Sequence, residues 1–169
     1  MKIKNIYKQV FSFALFISIF FSANAQTKKF LSVTINDNVN MQFISNDYVV
    51  TKDSVMIKGD SDYGRTKVNY ISRKLSKTEK KNLEKFMKTF PVDSLSESYF
   101  SDYNNMQYIS PEHFPRVIEI KFDYKEKKYK TKLTNCYVYK AADLFDFLNQ
   151  LFPPEVKIKF KKEDFNAFY

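Results

Sequence analysis

Few residues in this chain have chemical reach. His113 is its single histidine and Cys136 its single cysteine. Glu112 adjoins His113, and a histidine titrating near neutral pH beside a carboxylate can shuttle protons. A Ser-His-Asp triad would have to use His113, and a Cys-His pair would need Cys136 as well. One histidine and one cysteine cannot complete a zinc site of His and Cys ligands. Gly59 and Gly64 are the only glycines. That excludes phosphate loops and dinucleotide fingerprints, where glycine lets the backbone approach phosphate. The Gly-x-Ser-x-Gly nucleophile elbow is absent too. Asp60-Ser61-Asp62-Tyr63-Gly64 opens like a calcium loop, but Gly64 and Ile71 stand where an EF-hand needs oxygen ligands, so a polar hairpin loop is the better reading. Neither a metal nor a cofactor is expected.

Two further sets of residues could do work. Asp143 and Asp146 lie three apart on a helix, roughly opposite its apolar stripe. Glycosidases use paired carboxylates, but across a cleft, so a solvated helix face is the ordinary reading. The segment Tyr99–Arg116 is richer. Tyr99, Tyr103, Asn105, Tyr108, Glu112, His113 and Phe114 are the candidate ligand-binding residues. Aromatic faces beside amides and a carboxylate suit a sugar ring, with its apolar C–H faces and hydroxyl rim. The same aromatics could instead fold back as a satellite core. No tryptophan is present to strengthen a sugar-binding surface.

The elements that must position these residues are legible as patterns. Ser76-Lys77-Thr78-Glu79 fits a capping box. Leu83, Phe86, Met87 and Phe90 then share one stripe at helical spacing, and Pro91 stops the helix. A second helix is expected from Lys140 to Phe152, with Ala141, Leu144, Phe145, Leu148 and Phe152 as its stripe. Strands are expected at Phe30–Ile35, Val39–Ile44, Tyr48–Lys52, Val55–Lys58, Lys67–Arg73, Arg116–Asp123, Tyr129–Tyr139 and Val156–Lys161, from alternating apolar and polar residues. Asn36-Asp37-Asn38, Asn46-Asp47 and Asp53-Ser54 supply turns. The order predicts an α+β fold: a mainly antiparallel sheet with two amphipathic helices packed on one face.

Residues 1–25 have the three-part layout of a cleavable signal peptide. Lys2, Lys4 and Lys8 precede an apolar core from Val10 to Phe21, and Ala23-Asn24-Ala25 forms a small-x-small end. The core is too short for a permanent anchor. Residues 26–169 then read as a single domain, with no linker to divide them. Removing the three leader lysines takes the formal charge from +9 to +6. Only Arg65, Arg73 and Arg116 are arginines, so nucleic acid is not expected as a partner. The lone cysteine allows no internal disulfide, and no Asn-x-Ser/Thr triplet occurs. The expected setting is therefore a bacterial envelope, periplasmic or extracellular. The expected role is a non-enzymatic binding or interaction domain for an envelope protein or glycan. A carboxylate-dependent hydrolase and a structural or inhibitory partner of another envelope protein remain as alternatives.

Overall fold

A computed structural model of the chain describes residues 29–39, 44–61, 71–101, 116–165 and 168–169. Seven strands are described: β1 (Phe30–Val39), β2 (Ile44–Thr51), β3 (Ser54–Ser61), β4 (Ile71–Lys74), β5 (Ser98–Phe100), β6 (Arg116–Tyr124) and β7 (Lys128–Thr134). They form one sheet in the order β4-β3-β2-β1-β6-β7-β5. All neighbours run antiparallel except β5, which lies parallel to β7. Two α-helices, α1 (Lys77–Thr89) and α2 (Tyr139–Leu148), accompany the sheet.

The period-2 pattern decides which face of the sheet is buried. Val33 and Ile35 of β1, Tyr48 and Val50 of β2, Val55 and Ile57 of β3, and Ile118, Ile120 and Phe122 of β6 point the same way. They share one cluster with Leu83 and Met87 of α1 and with Leu144, Phe145 and Leu148 of α2. Phe90 stacks on Phe122 with ring centroids 5.7 Å apart, and Phe86 stacks on Phe147 of the other helix at 4.0 Å. Tyr124 donates its hydroxyl to the Met87 carbonyl at 3.1 Å, and burial pushes its phenol up to about 12. Both helices therefore cover one face of a mainly antiparallel sheet. An irregularity between Phe30 and Ser32 shifts the β1–β6 register, which lets Phe30 and Val33 bury on the same side despite their odd spacing.

Helix α1 begins as its residues dictate. The Ser76 hydroxyl accepts from the Glu79 amide at 3.2 Å while Glu79 accepts from the Ser76 amide at 2.7 Å. Arg73 of β4 donates to both oxygens of Glu79 and to the Leu151 carbonyl. It thereby ties a strand, the start of α1 and the segment after α2.

Five expectations are corrected. The strand expected over Tyr129–Tyr139 ends at Thr134, where the left-handed Asn135 breaks the ladder, and Tyr139 opens helix α2. Asn36-Asp37-Asn38 is not a turn: β1 runs through it, because Asp37 finds a partner in Arg116 on the neighbouring strand. Asn46-Asp47 likewise lies inside β2, where Asp47 accepts from Asn36 across the ladder at 2.6 Å. Helix α2 stops at Leu148. There the Asn149 amide pairs with both backbone groups of Ile158, at 2.8 and 3.0 Å, and Leu151 and Phe152 reach the core from a turn. The alternating stretch Val156–Lys161 is not a ladder strand. Asn149 takes the backbone groups of Ile158, while Ile158 and Phe160 plug the core edge. The parallel strand β5 has too few residues to carry a readable pattern.

Candidate functional site

Aromatic side chains gather at one end of the sheet. Strand β7 ends at Thr134, and Asn135 adopts a left-handed conformation, φ 51°, that turns the chain out of the sheet. Cys136 is buried there, and burial raises its thiol pKa. The chain then passes Tyr137 and enters α2 at Tyr139. No side chain caps this helix start. Its Tyr139 amide donates instead to the Tyr169 carbonyl at 2.9 Å, and the Tyr169 amide donates to the Tyr137 carbonyl at 2.9 Å. Helix starts leave such amides unsatisfied, and here the C-terminal segment supplies the acceptor. Tyr137 and Phe168 form the resulting parallel bridge.

This stitching builds an aromatic shelf. Five large hydrophobic side chains are exposed among the described residues, and three of them lie here: Tyr139, Phe168 and Tyr169. Between 46% and 53% of each remains accessible. The other two, Met56 of β3 and Phe100 of β5, stand on the face of the sheet turned away from the helices. The Tyr169 hydroxyl donates to the Phe100 carbonyl at 2.9 Å, and its ring lies 5.5 Å from Tyr99. Tyr137 is the hub. It stacks on Phe160 at 5.0 Å, meets Tyr139 edge-on at 5.3 Å and approaches Phe165 and Phe168.

Charges surround the rings. The Lys162 ammonium sits 5.3 Å from the Tyr139 ring and 5.1 Å from the Phe168 ring, within cation–π range. Its hydrogen bond with the Tyr139 side chain raises its pKa. Asp143 follows Tyr139 by four residues and so shares its helix face. Both Asp143 and Asp146 are exposed. Burial raises the Tyr137 phenol, and the nearby Asp146 charge raises it further. The shelf thus offers flat π faces, carboxylate acceptors and an ammonium donor. That set can hold a ligand with an apolar face and a hydroxyl rim.

The shelf rests on an ion pair. Arg116 donates Nε to Asp37 at 2.8 Å and Nη2 to its other oxygen at 2.5 Å. Its third nitrogen reaches the Lys159 carbonyl, and the guanidinium lies 5.9 Å from the Phe160 ring. Arg116 therefore anchors the segment whose Phe160 supports Tyr137.

Of the residues expected to bind ligand, Tyr99 lies in β5. It is half-buried against the core, and its hydroxyl accepts from the Ser96 amide at 2.9 Å. Tyr103, Asn105, Tyr108, Glu112, His113 and Phe114 lie outside the described residues. Their segment follows Ser101, which pairs with Thr134 beside Phe100, and ends at Arg116, whose strand begins at the same end of the sheet. The shelf residues Tyr139, Phe168, Tyr169 and Lys162 were missed. The available signal was Tyr139, an aromatic off the apolar stripe of α2, together with the run of C-terminal rings.

Among the described residues no group of three or more His, Cys, Asp or Glu could hold a metal ion, and no helix is long and apolar enough to cross a membrane. The chain matches no protein-family model and no curated protein.

Proposed function

We propose that this chain is an exported, non-enzymatic binding domain whose aromatic shelf takes a neutral saccharide of the cell envelope. The observation carrying the reading is the gathering of Tyr139 and Phe168 around Tyr137, with Tyr169 held beside them by its backbone bonds to Tyr137 and Tyr139, and Asp143, Asp146 and Lys162 nearby. Exposed rings stack on the C–H face of a pyranose, and carboxylates and an ammonium meet its hydroxyls. The reading of export rests on the leader-like residues 1–25, and cleavage after Ala25 would appear in the intact mass.

Binding is favoured over hydrolysis by the placement of the acids. Asp143 and Asp146 project from one exposed helix face, whereas glycoside hydrolysis needs two carboxyl groups on opposite sides of the scissile bond.

The test is an NMR titration of isotopically labelled protein with neutral hexose and amino-sugar oligosaccharides. Amide shifts are expected to concentrate at Tyr137, Tyr139, Phe168 and Tyr169. Tyr139→Ala is expected to weaken binding about tenfold, the loss of one ring contact of about 1.4 kcal/mol. As a surface substitution it should change stability by less than about 0.5 kcal/mol. A flat titration across the panel would overturn the saccharide reading and turn the search to a protein partner captured from envelope extract.

A further inference from the structure

The face of the sheet turned away from the helices carries a second surface, built on β7. Alternation along this strand turns Thr131 and Leu133 into the core and leaves Lys128, Lys130 and Lys132 exposed. Successive lysines in such a comb stand about 7 Å apart. The neighbouring strand β6 places Lys121 directly opposite Lys130. Like charges facing each other across a ladder are unfavourable unless something neutralises them. Glu119 does so alone: one oxygen lies 2.5 Å from the Lys121 ammonium and the other 2.5 Å from that of Lys130. Those two ammoniums hold the Glu119 carboxyl below the usual carboxylate range.

Sharing Glu119 has a consequence for Lys132. Register puts Lys132 opposite Glu119, but both oxygens of Glu119 are occupied by the other two lysines. Lys132 forms no ion pair among the described residues. Three ammoniums therefore face one carboxylate on this part of the sheet. A groove of about 1030 Å³ runs along it, with the small hydroxyl side chains of Ser32 and Thr34 on β1 beside the lysines. Asp93, Glu97 and Asp123 line it as well, and Asp123 lies 3.9 Å from the Lys128 ammonium, so the strip that attracts an anion is centred on Lys130 and Lys132.

We propose that this strip binds an acidic polysaccharide, with the carboxylates of successive sugars meeting Lys130 and Lys132 and its hydroxyls meeting Ser32 and Thr34. The inference is independent of the aromatic shelf. Charge complementarity chooses the ligand. The comb follows an extended strand, as a linear polymer would. Anionic lipid suits it less, because membrane-surface binding combines basic residues with large apolar side chains that insert, and the two exposed large hydrophobics that alternation places on this face, Met56 and Phe100, do not line the groove. Nucleic acid suits it less as well, since single strands are held by aromatic platforms and arginine, and the strip's cations are all lysine.

The experiment is calorimetric titration of the full chain with a polygalacturonate oligomer, its methyl ester and vesicles containing anionic lipid. The acid oligomer is expected to bind with an affinity that falls as salt rises. The neutral methyl ester should not compete. The double variant Lys130→Gln/Lys132→Gln should lose about tenfold in affinity, two exposed charge contacts together. The control Lys81→Gln/Lys85→Gln, on the exposed side of α1, should stay within about twofold of the parent, as screening predicts for distant charges. Circular dichroism establishes that both variants fold. Equal loss in the control would reduce the effect to diffuse charge attraction and overturn the proposal. So would undiminished binding of the methyl ester, absence of binding to the acid oligomer, or a tighter, comb-dependent association with vesicles.

Discussion

Arg116 forks onto Asp37 across the β1–β6 ladder, with both carboxylate oxygens engaged and the two side chains only 17% and 8% exposed. The carboxylate stands on the core face of β1, in phase with Val33 and Ile35. Its charge also bears on Tyr48, whose phenol is pushed up to about 12, first by burial and then by Asp37. Removing one partner of such a pair leaves an uncompensated charge in a dry place. Arg116→Met and Asp37→Asn are each expected to cost about 3–5 kcal/mol of unfolding free energy. The double variant Asp37→Asn/Arg116→Met should cost less than the sum of the two single changes, because it leaves no orphaned charge. Urea denaturation of the four proteins closes this cycle. Additive losses would mean that the two groups are not coupled.

The second prediction concerns acid. Glu79 holds the Arg73 fork and the Ser76 amide, and these bonds, the Arg73 fork foremost, lower its pKa from 4.5 to about 2. Its folded pKa therefore lies below its unfolded one. A group of this kind contributes stability that is fully present above the unfolded pKa and is lost as pH falls through the folded pKa. Glu79→Gln should accordingly be less stable than the parent at pH 6, with the gap closing between about pH 4.5 and 2. Asp53 and Glu119, lowered chiefly by lysine partners, titrate in the same direction and remain in both proteins, so subtraction isolates Glu79. A pH-independent gap in melting temperature would show that the capping geometry of Ser76, rather than the charge of Glu79, carries the effect.

Much of the fold was legible because local chemistry and global packing agree there. Ser76, Glu79, the Leu83–Met87 stripe and Pro91 announce α1 by residue type alone, and the Ile118–Ile120–Phe122 alternation announces β6. What was not legible depended on partners distant in sequence. Asp37 reads as a turn residue until Arg116, seventy-nine positions away, meets it. Ile158 reads as a strand residue until Asn149 takes its backbone groups. The shelf was opaque for the same reason. Tyr139 and Tyr169 carry no local motif, and only the backbone pairing of the C-terminal segment with the start of α2 brings them together. The lysines of β7 were visible as an alternating strand, but the sharing of Glu119 needed the register.

The last prediction uses the single thiol as a reporter of that end of the sheet. Cys136 is fully buried directly after the left-handed Asn135, between β7 and α2. Burial raises its pKa, and the thiolate is the reactive form. An aromatic disulfide reagent at pH 8 should therefore label the native protein only as fast as this region opens. The rate should then be independent of reagent concentration once labelling outpaces reclosing. In guanidinium chloride one equivalent should react at once. Tyr169→Ala removes the hydroxyl contact with Phe100 and the ring contact with Tyr99, while leaving the backbone bonds to Tyr137 and Tyr139 in place. Its labelling rate should rise by less than about threefold if those backbone bonds hold the segment down, a surface change of under about 0.6 kcal/mol. Labelling of the parent protein as fast as that of the unfolded chain at the same reagent concentration would mean that the thiol is open to solvent and that Cys136 does not pack as described.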